Sequence, residues 1–574
     1  MAEKILSPGV FQNESDQSLV QRGIQGTATA IVGPTVLGQP LVPTYVTSYS
    51  EFVAKFGETF KSGSYYYEYL TSLAAKDYFN NGGQTLLVTR IISGSANIST
   101  YASAQVDALS GITTASFALE TIAWGDIMNN TSSLSSGSLA SGSATNVRWE
   151  VTNVNTASGV FSLAVRLGND NNAQLNYIET WPNLSLDPNL PNYISRVIGD
   201  IKPVYRLDSD SKPYIDSTGS YANASQYIRI KSVTGIQPDS IDNNGAYKAT
   251  QYSSSLPAAG SGSFGGSFAG GVAATTAAQL MNENITITNV QGFAAADYTA
   301  AFNLLANSDE YQFNVLIAPG IGLDNAASAT MISTCEGRGD AIAAIDCKIY
   351  GAVVSSAVSA AAGQSSNYAA TYWPWVQLYS SALGKSVWCP PSTVMAGVFA
   401  FNDQVGAEWF APAGLNRGGV PSVLKAERRL TQADRDTLYQ ANVNPLATFP
   451  GEGVVVFGQK TLQRKATALD RVNVRRLLIA LKGYIGQVGN NLVFEQNTNV
   501  TRNRFLAQVN PYLESIVQRQ GLYAFKVVMD DTNNTADVID RNQLVGQIYI
   551  QPTKTAEFII LNFNVLPTGA TFPA

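Results

Sequence analysis

Between residues 276 and 450 helical and strand-like stretches alternate, and this alternation narrows the choice of architecture more than any other feature. "AADYTAAFNLLANS" precedes "FNVLIAPG", "CEGRGDAIAAID" precedes "CKIYGAVVSS", and "SVWCPPSTVMAGVFAFND" opens a further helix. Strands separated by helices are returned to the same end of a sheet by each crossover, so they pair in parallel within an α/β layer structure. Residues 24–95 carry similar signals. "GTATAIVG" and "TLLVTRII" read as strands, and "YYYEYLTSLAAKDYFNNGG" reads as a helix closed by glycine.

The texture between these two regions is different. Residues 96–275 are rich in Ser, Thr, Asn and Gly, and hold short strands such as "NVRWEVTNV" and "GVFSLAVRLG" at hairpin spacing. They end in "GSGSFGGSFAGG", which by composition reads as a flexible linker. One or two inserted β domains are expected. Residues 451–574 read as α+β: the strand "GVVVFG", two helices, then the strands "LYAFKVVMD", "GQIYIQP" and "EFIILNFNVLP".

Composition restricts the chemistry. The 574 residues include no histidine, which removes the commonest general base and metal ligand. Cys335, Cys347 and Cys389 have neither metal-like nor redox-like spacing, and an odd count without a secretory signal fits a reducing compartment. No run approaches the roughly 18 apolar residues of a membrane helix. Charged residues make up 14% of the chain, against about 25% in ordinary domains. Such a surface suits extensive contact with other protein copies. The charge is also uneven, since from Pro421 onward 17 Lys and Arg face 12 Asp and Glu in a chain of net charge −6. Asymmetry of this kind implies a partner of opposite sign, although the excess is mild for nucleic acid.

Two motifs have plain structural readings. In "GEGVVVFGQKT", Gly453 and Gly458 have phosphate-loop spacing, but Gln459 stands before Lys460 and the intervening residues are apolar and β-branched, as in a buried strand. Arg338–Asp340 spells RGD inside a helix-like stretch, where a three-residue match arises by chance. No catalytic, cofactor-binding or metal-ligating residue is expected.

Three stretches point instead to protein contacts. In "DRVNVRRLLIALKGYIGQV", Val474, Leu477, Leu478, Leu481, Ile485 and Val488 form one helical face, and Arg471, Arg475 and Lys482 form a basic stripe beside it. Near the start, "SPGVFQNESDQS" holds a single apolar pair, Val10 and Phe11, in a polar run with no folding period of its own. Near the end, Ile559, Leu561, Phe563 and Val565 alternate on one face of a strand that is an aggregation hazard unless another strand pairs with it.

Together these stretches resemble the tail sheath proteins of contractile-tailed bacteriophages. The likeness runs through "SPGVFQNESDQS", "GTATAIVG", "TSYSEFVAKFG" and "CEGRGDAIAAIDC". It continues through "AGVFAFNDQVGAEWFAPAGLNRG", "DRVNVRRLLIAL", the stretch from "NTNVTRNRFLAQ" to "GQIYIQP" and the final strand, and leaves 96–275 almost unmatched. The resemblance implies a multidomain α/β and α+β protein. Its expected parts are an extended N-terminal arm (1–22), a first core segment (23–95), a variable β-rich outer insertion (96–275), a subtilisin-like α/β domain (276–450) and a C-terminal sheath domain ending in a strand or arm (451–574).

The resemblance further implies a structural subunit without cofactor. Copies would stack as six-fold rings around an inner tail tube and contract to drive it through a host envelope. The implied partners are other copies, the tube protein, and baseplate and tail terminator proteins, with no nucleic acid and no membrane insertion. The implied location is the virion, with assembly in the host cytoplasm. Arg471, Arg475 and Lys482 are expected to face the tube. Val10, Phe11, Ile559, Leu561, Phe563 and Val565 are expected to take part in strand exchange between copies. The alternatives are the sheath of a phage-tail-like bacteriocin or, from another class, a soluble α/β hydrolase, for which no catalytic constellation is found.

Overall fold

A computed structural model describes residues 28–557, apart from 63–64, 93–100, 110–114, 124, 132–133, 135, 236–241, 245–247, 249–253, 259–265 and 272–280. Val10 and Phe11, and Ile559, Leu561, Phe563 and Val565, lie outside the described residues.

The first segment contributes β1 (Thr29–Gly33), β2 (Thr44–Val46), α1 (Tyr49–Phe56), the hairpin β3 (Thr59–Ser62) and β4 (Tyr65–Glu68), α2 (Leu70–Asn80) and β5 (Leu86–Arg90). The insertion follows. It comprises β6 (Ser103–Asp107), β7 (Ala115–Thr121), β8 (Val147–Asn155), β9 (Val160–Leu167), β10 (Tyr177–Ser185), α3 (Ile194–Ile198), β11 (Lys202–Leu207), β12 (Pro213–Thr218) and β13 (Ile228–Val233). The chain then returns through α4 (Ala295–Leu304), β14 (Val315–Gly322), α5 (Ala327–Arg338), β15 (Ile342–Asp346), α6 (Val354–Ala362) and β16 (Ala369–Trp373). Next come β17 (Val376–Ser380), β18 (Lys385–Cys389), α7 (Ser392–Val405), β19 (Val423–Ala426), α8 (Gln432–Gln440), β20 (Val443–Phe449) and β21 (Gly453–Val456).

Eight of these strands form one sheet in the order β2-β5-β1-β14-β15-β16-β20-β21. The six inner strands are parallel, and β2 and β21 close the two edges antiparallel. In chain order the parallel strands run 2-1-3-4-5-6, the flavodoxin-like order, with the direction reversing between β1 and β14. Right-handed crossovers that step in opposite directions place their helices on opposite faces. This puts α2, with α7 packed on it, on one face and α4 with α5 on the other. Because both faces are covered, every residue of β1, β5, β14, β15 and β16 is buried, which is why these strands read as continuous apolar runs rather than alternating ones. The structure thus joins strands from 29–90 and from 315–456 in one doubly wound α/β sheet.

Three sequence readings are corrected. The stretch from Cys335 to Asp346 is not one helix: α5 stops at Arg338, Gly339 takes the left-handed cap at φ 72°, and Ile342–Asp346 is a core strand. The Tyr65–Glu68 part of the supposed helix is the strand β4, and α2 begins at Leu70. β21 pairs with β20 in the central sheet, so a boundary at 450/451 cuts a hairpin; the sheet domain continues past Val456.

Among the described residues the insertion gathers six of its eight strands around one apolar cluster. Its sheets β6-β7-β13 and β8-β9-β10 close over a shared cluster that includes Phe117, Leu119, Trp149, Phe161, Leu163 and Ile228, and Tyr205 and Ile215 of the β11–β12 hairpin lean on the central core. The stretch read as an exit linker is partly structural. Phe268 is fully buried in that cluster, and the Asn130 carboxamide oxygen accepts from its backbone N–H at 2.7 Å. Gly266 runs so close to Trp149 that an added Cβ would lie 2.2 Å from the Trp149 carbonyl oxygen. Glycine there serves close approach as well as freedom.

The C-terminal region comprises α9 (Val472–Asn490), α10 (Asn499–Gln518), β22 (Leu522–Val528), α11 (Ala536–Asp540) and β23 (Gln547–Pro552). The two long helices and the β22–β23 pair enclose a third apolar cluster.

Candidate assembly surface

The amphipathic reading of 470–488 holds residue by residue. Val474, Leu477, Leu481 and Val488 are buried, and Leu478 and Ile485 lie half-buried against the cluster formed with Phe505, Val509, Leu513 and Ile516 of α10. Tyr484 and Tyr512 stack at 3.8 Å between the helices. β22 and β23 lay Phe525, Val527, Ile548 and Ile550 on this cluster. Tyr523 and Tyr549 remain exposed. Among the described residues the two strands pair only with each other, so each keeps an open edge. A two-stranded ladder is marginal alone and here depends on the helices beneath it.

The basic stripe is not three free charges. Arg471 grips Glu557 with two parallel bonds, Nε to Oε1 at 2.7 Å and Nη2 to Oε2 at 2.9 Å, and lies 3.0 Å from Asp470. Arg475 is buried, with its guanidinium 4.0 Å from the centre of the Tyr368 ring and Nε donating to the Asn367 carbonyl at 3.1 Å. Burial holds its pKa below the usual arginine value. Lys482 is exposed, and its ammonium touches the Tyr368 hydroxyl at 3.2 Å.

Between these residues and the central sheet lies a joint that sequence reasoning missed. Arg476 of α9, almost wholly buried, donates two bonds to Asp403 of α7, one of them at 2.8 Å. It also sits 4.9 Å from the Phe399 ring. One turn on, the Trp409 indole N–H donates to the Arg519 carbonyl at the end of α10. Glu557 was missed as well. It is the one acidic residue after Asp540, but its partner Arg471 lies 86 positions away, a pairing that no local period encodes.

Asp346 and Asp77 are buried acids of the central domain. Asp346, at the end of β15, accepts from the Ser392 N–H at 2.7 Å and its hydroxyl at 2.8 Å, and from the Gly320 N–H at 2.9 Å, so it caps the start of α7. Burial pushes its pKa up to about 7. Asp77 of α2 faces Gly397 of α7 and is also pushed up to about 7 by burial. The three cysteines are buried. Burial raises their thiol pKa values, that of Cys347 to about 12, so they stay protonated. Arg338 is folded inward onto Asp340 and the carbonyls of Leu305 and Tyr311, and the Lys460 ammonium is taken by the Tyr439 carbonyl. Among the described residues no cluster of His, Cys, Asp or Glu is arranged to hold a metal, and no helix is long and apolar enough to cross a membrane.

The chain matches two family models in order: the phage tail sheath protein central domain over residues 291–462 and the phage tail sheath C-terminal domain over 464–566. It is 40% identical over 208 residues to the tail sheath protein of Vibrio phage KVP40, a stretch covering 36% of this chain and 31% of that relative. It is likewise 40% identical over 208 residues to the tail sheath protein of Enterobacteria phage T4, covering 36% of this chain and 32% of that one. The aligned part thus spans under a third of each relative's length. A crystal structure of a sheath tail protein from Listeria innocua shares the fold over 92% of this chain and 95% of its own, with a TM-score of 0.54 and 11% identity. Residues 291–566 thus match the central and C-terminal domains of phage tail sheath proteins, in that order.

Proposed function

We propose that the chain is the structural subunit of a contractile phage tail sheath. Copies polymerise as stacked six-fold rings around an inner tube and contract to drive that tube through a host envelope. The observation that carries this reading is the open-edged β22–β23 pair in the matched C-terminal domain. A two-stranded sheet with a packed face and free edges takes further strands, and the apolar strand with Ile559, Leu561, Phe563 and Val565, or the arm with Val10 and Phe11, is of a length to supply them from a neighbour. Main-chain joins of this kind survive large reorientation of the bodies they connect. The doubly wound domain, subtilisin-like in the family reading, serves as scaffold without catalysis. The tube contact enters in narrowed form: Lys482 is the exposed member of the basic stripe. The β insertion covers the outside, baseplate and terminator proteins meet the two ends, and the virion is the working location.

Electron microscopy of purified chain tests the reading. The intact chain should form tubes of uniform width, while chains lacking residues 1–18 or 558–574 should stay folded and form none. Normal tubes from both truncations would move the connection to the domain surfaces.

A further inference from the structure

The last described residues do not hang from the C-terminal sheet. β23 ends at Pro552, and Thr553 is tied to the Gly521 carbonyl by its N–H at 3.2 Å. The chain then crosses back to the central domain, where the Glu557 carboxylate meets three elements at once. Arg471, at the start of α9, supplies the two bonds already described. The Tyr439 hydroxyl, on α8, donates to Oε2 at 2.9 Å, and burial followed by the Glu557 charge raises its pKa, so it remains a donor. Gln459, buried just after β21, donates to Oε1 at 3.1 Å and to the Thr555 hydroxyl at 2.5 Å. A charged, bidentate carboxylate contact with a neutral donor on each oxygen is among the stronger joins a protein surface offers.

We propose that Arg471, Tyr439 and Gln459 form a clamp on Glu557 that fixes where the C-terminal connector leaves the subunit, so that tension on it reaches the central sheet instead of peeling β23 from β22. This rests on the strand-exchange reading above. β23 lies at an open edge of a two-stranded ladder, and a pull on its end would break the ladder bonds one at a time. The clamp lies between that ladder and the connector and is seated on α8, on the segment after β21 and on the first turn of α9. Arg471 and Glu557 act here as positioning residues.

Trypsin reads the clamp directly. Lys554 is exposed and borders an open groove between residues 466–474 and 554–557, but cleavage after it needs several flanking residues to open, which the clamp opposes. In unpolymerised chain, Glu557→Gln and Arg471→Lys should each speed cleavage at Lys554–Thr555 by about tenfold or more. Tyr439→Phe, which leaves the ion pair intact, should do so by only a few-fold, and far-UV circular dichroism should be unchanged in all three. In sleeves, the first two variants should assemble but shed or misplace connectors on contraction. A tryptic rate equal to that of the parent in both Glu557→Gln and Arg471→Lys would overturn the clamp. Faster cleavage together with normal assembly and contraction would overturn its role in carrying tension. Normal sleeves from a chain lacking 558–574 would instead overturn the C-terminal connector on which the clamp rests, whatever the tryptic rates.

Discussion

The joint between α7 and α9 makes an asymmetric prediction. Arg476 is almost wholly buried, with 2% of its side chain exposed, whereas Asp403 is 24% exposed and also receives the Asn402 carboxamide at 3.3 Å. Removing the carboxylate by Asp403→Ala takes the hydrogen-bonded counter-charge from a buried guanidinium, a change that costs about 3–5 kcal/mol. Removing the cation by Arg476→Met keeps most of the packing on Phe399 and leaves a carboxylate that water can reach. The loss is then the charge-assisted bonds less the cost of burying an ion, about 1–2 kcal/mol. The two variants should therefore differ by about 2 kcal/mol. Read as urea midpoints of monomeric chain, with slopes of about 1–3 kcal/mol per molar, that gap is on the order of 1 M. An Arg476→Met chain as unstable as Asp403→Ala, or two indistinguishable midpoints, would refute the argument that burial of the cation sets the cost.

Three further outcomes are expected. Asp77 has a folded pKa of about 7, above its unfolded value of about 4, so its contribution to stability is complete below about pH 4 and is lost as the pH rises through 7. Asp77→Asn should therefore match the parent at about pH 4 and below, and exceed it by a margin that grows up to about pH 7, and parallel midpoint-versus-pH curves would reject this. Phe494 holds φ at 69° with its ring fully exposed, so Phe494→Asn, which suits the left-handed region without losing a contact, should raise the unfolding free energy from urea titration by about 0.5–1 kcal/mol. Gly266→Ala should open the insertion by driving a Cβ into the Trp149 backbone and indole, seen as faster proteolysis within 102–268 while the central sheet stays protected.

What could be read from the sequence followed the range of the interactions. The parallel sheet was legible because a strand covered on both faces is mainly apolar without alternation, as "TAIVG" and the first three residues of "LLVTR" are. The α9 face was legible because a 3.6-residue period is local. The extent of α5 was misread although Gly339, a helix-ending residue, stood in plain view; the apolar run after it continued the apparent helix. Glycines near Gly266 were read as slack because Gly and Ser spell linkers in the absence of a neighbour, and the neighbour, Trp149, is more than a hundred positions away. For the same reason the stripe could be drawn but not assigned. Helical geometry placed Arg471 and Arg475 side by side, while Glu557 and Tyr368, which occupy them, arrive from elsewhere in the chain.

The central sheet also sets a timetable for its own synthesis. β1 must pair with β14, Thr29 opposite Val315, yet between the end of β5 and the start of β14 roughly 225 residues have to leave the ribosome. At about 5–20 residues per second that interval lasts about 10–45 s. During it the nascent chain holds β1 and β5 with one side of β1 bare, an edge that invites pairing with the next chain on the same message. The insertion, with its own apolar cluster, is complete before β14 appears. It folds first and stands beside an unfinished sheet. On the strand-joining proposed above, neighbouring copies must therefore be kept apart until the last strands of the central sheet are made.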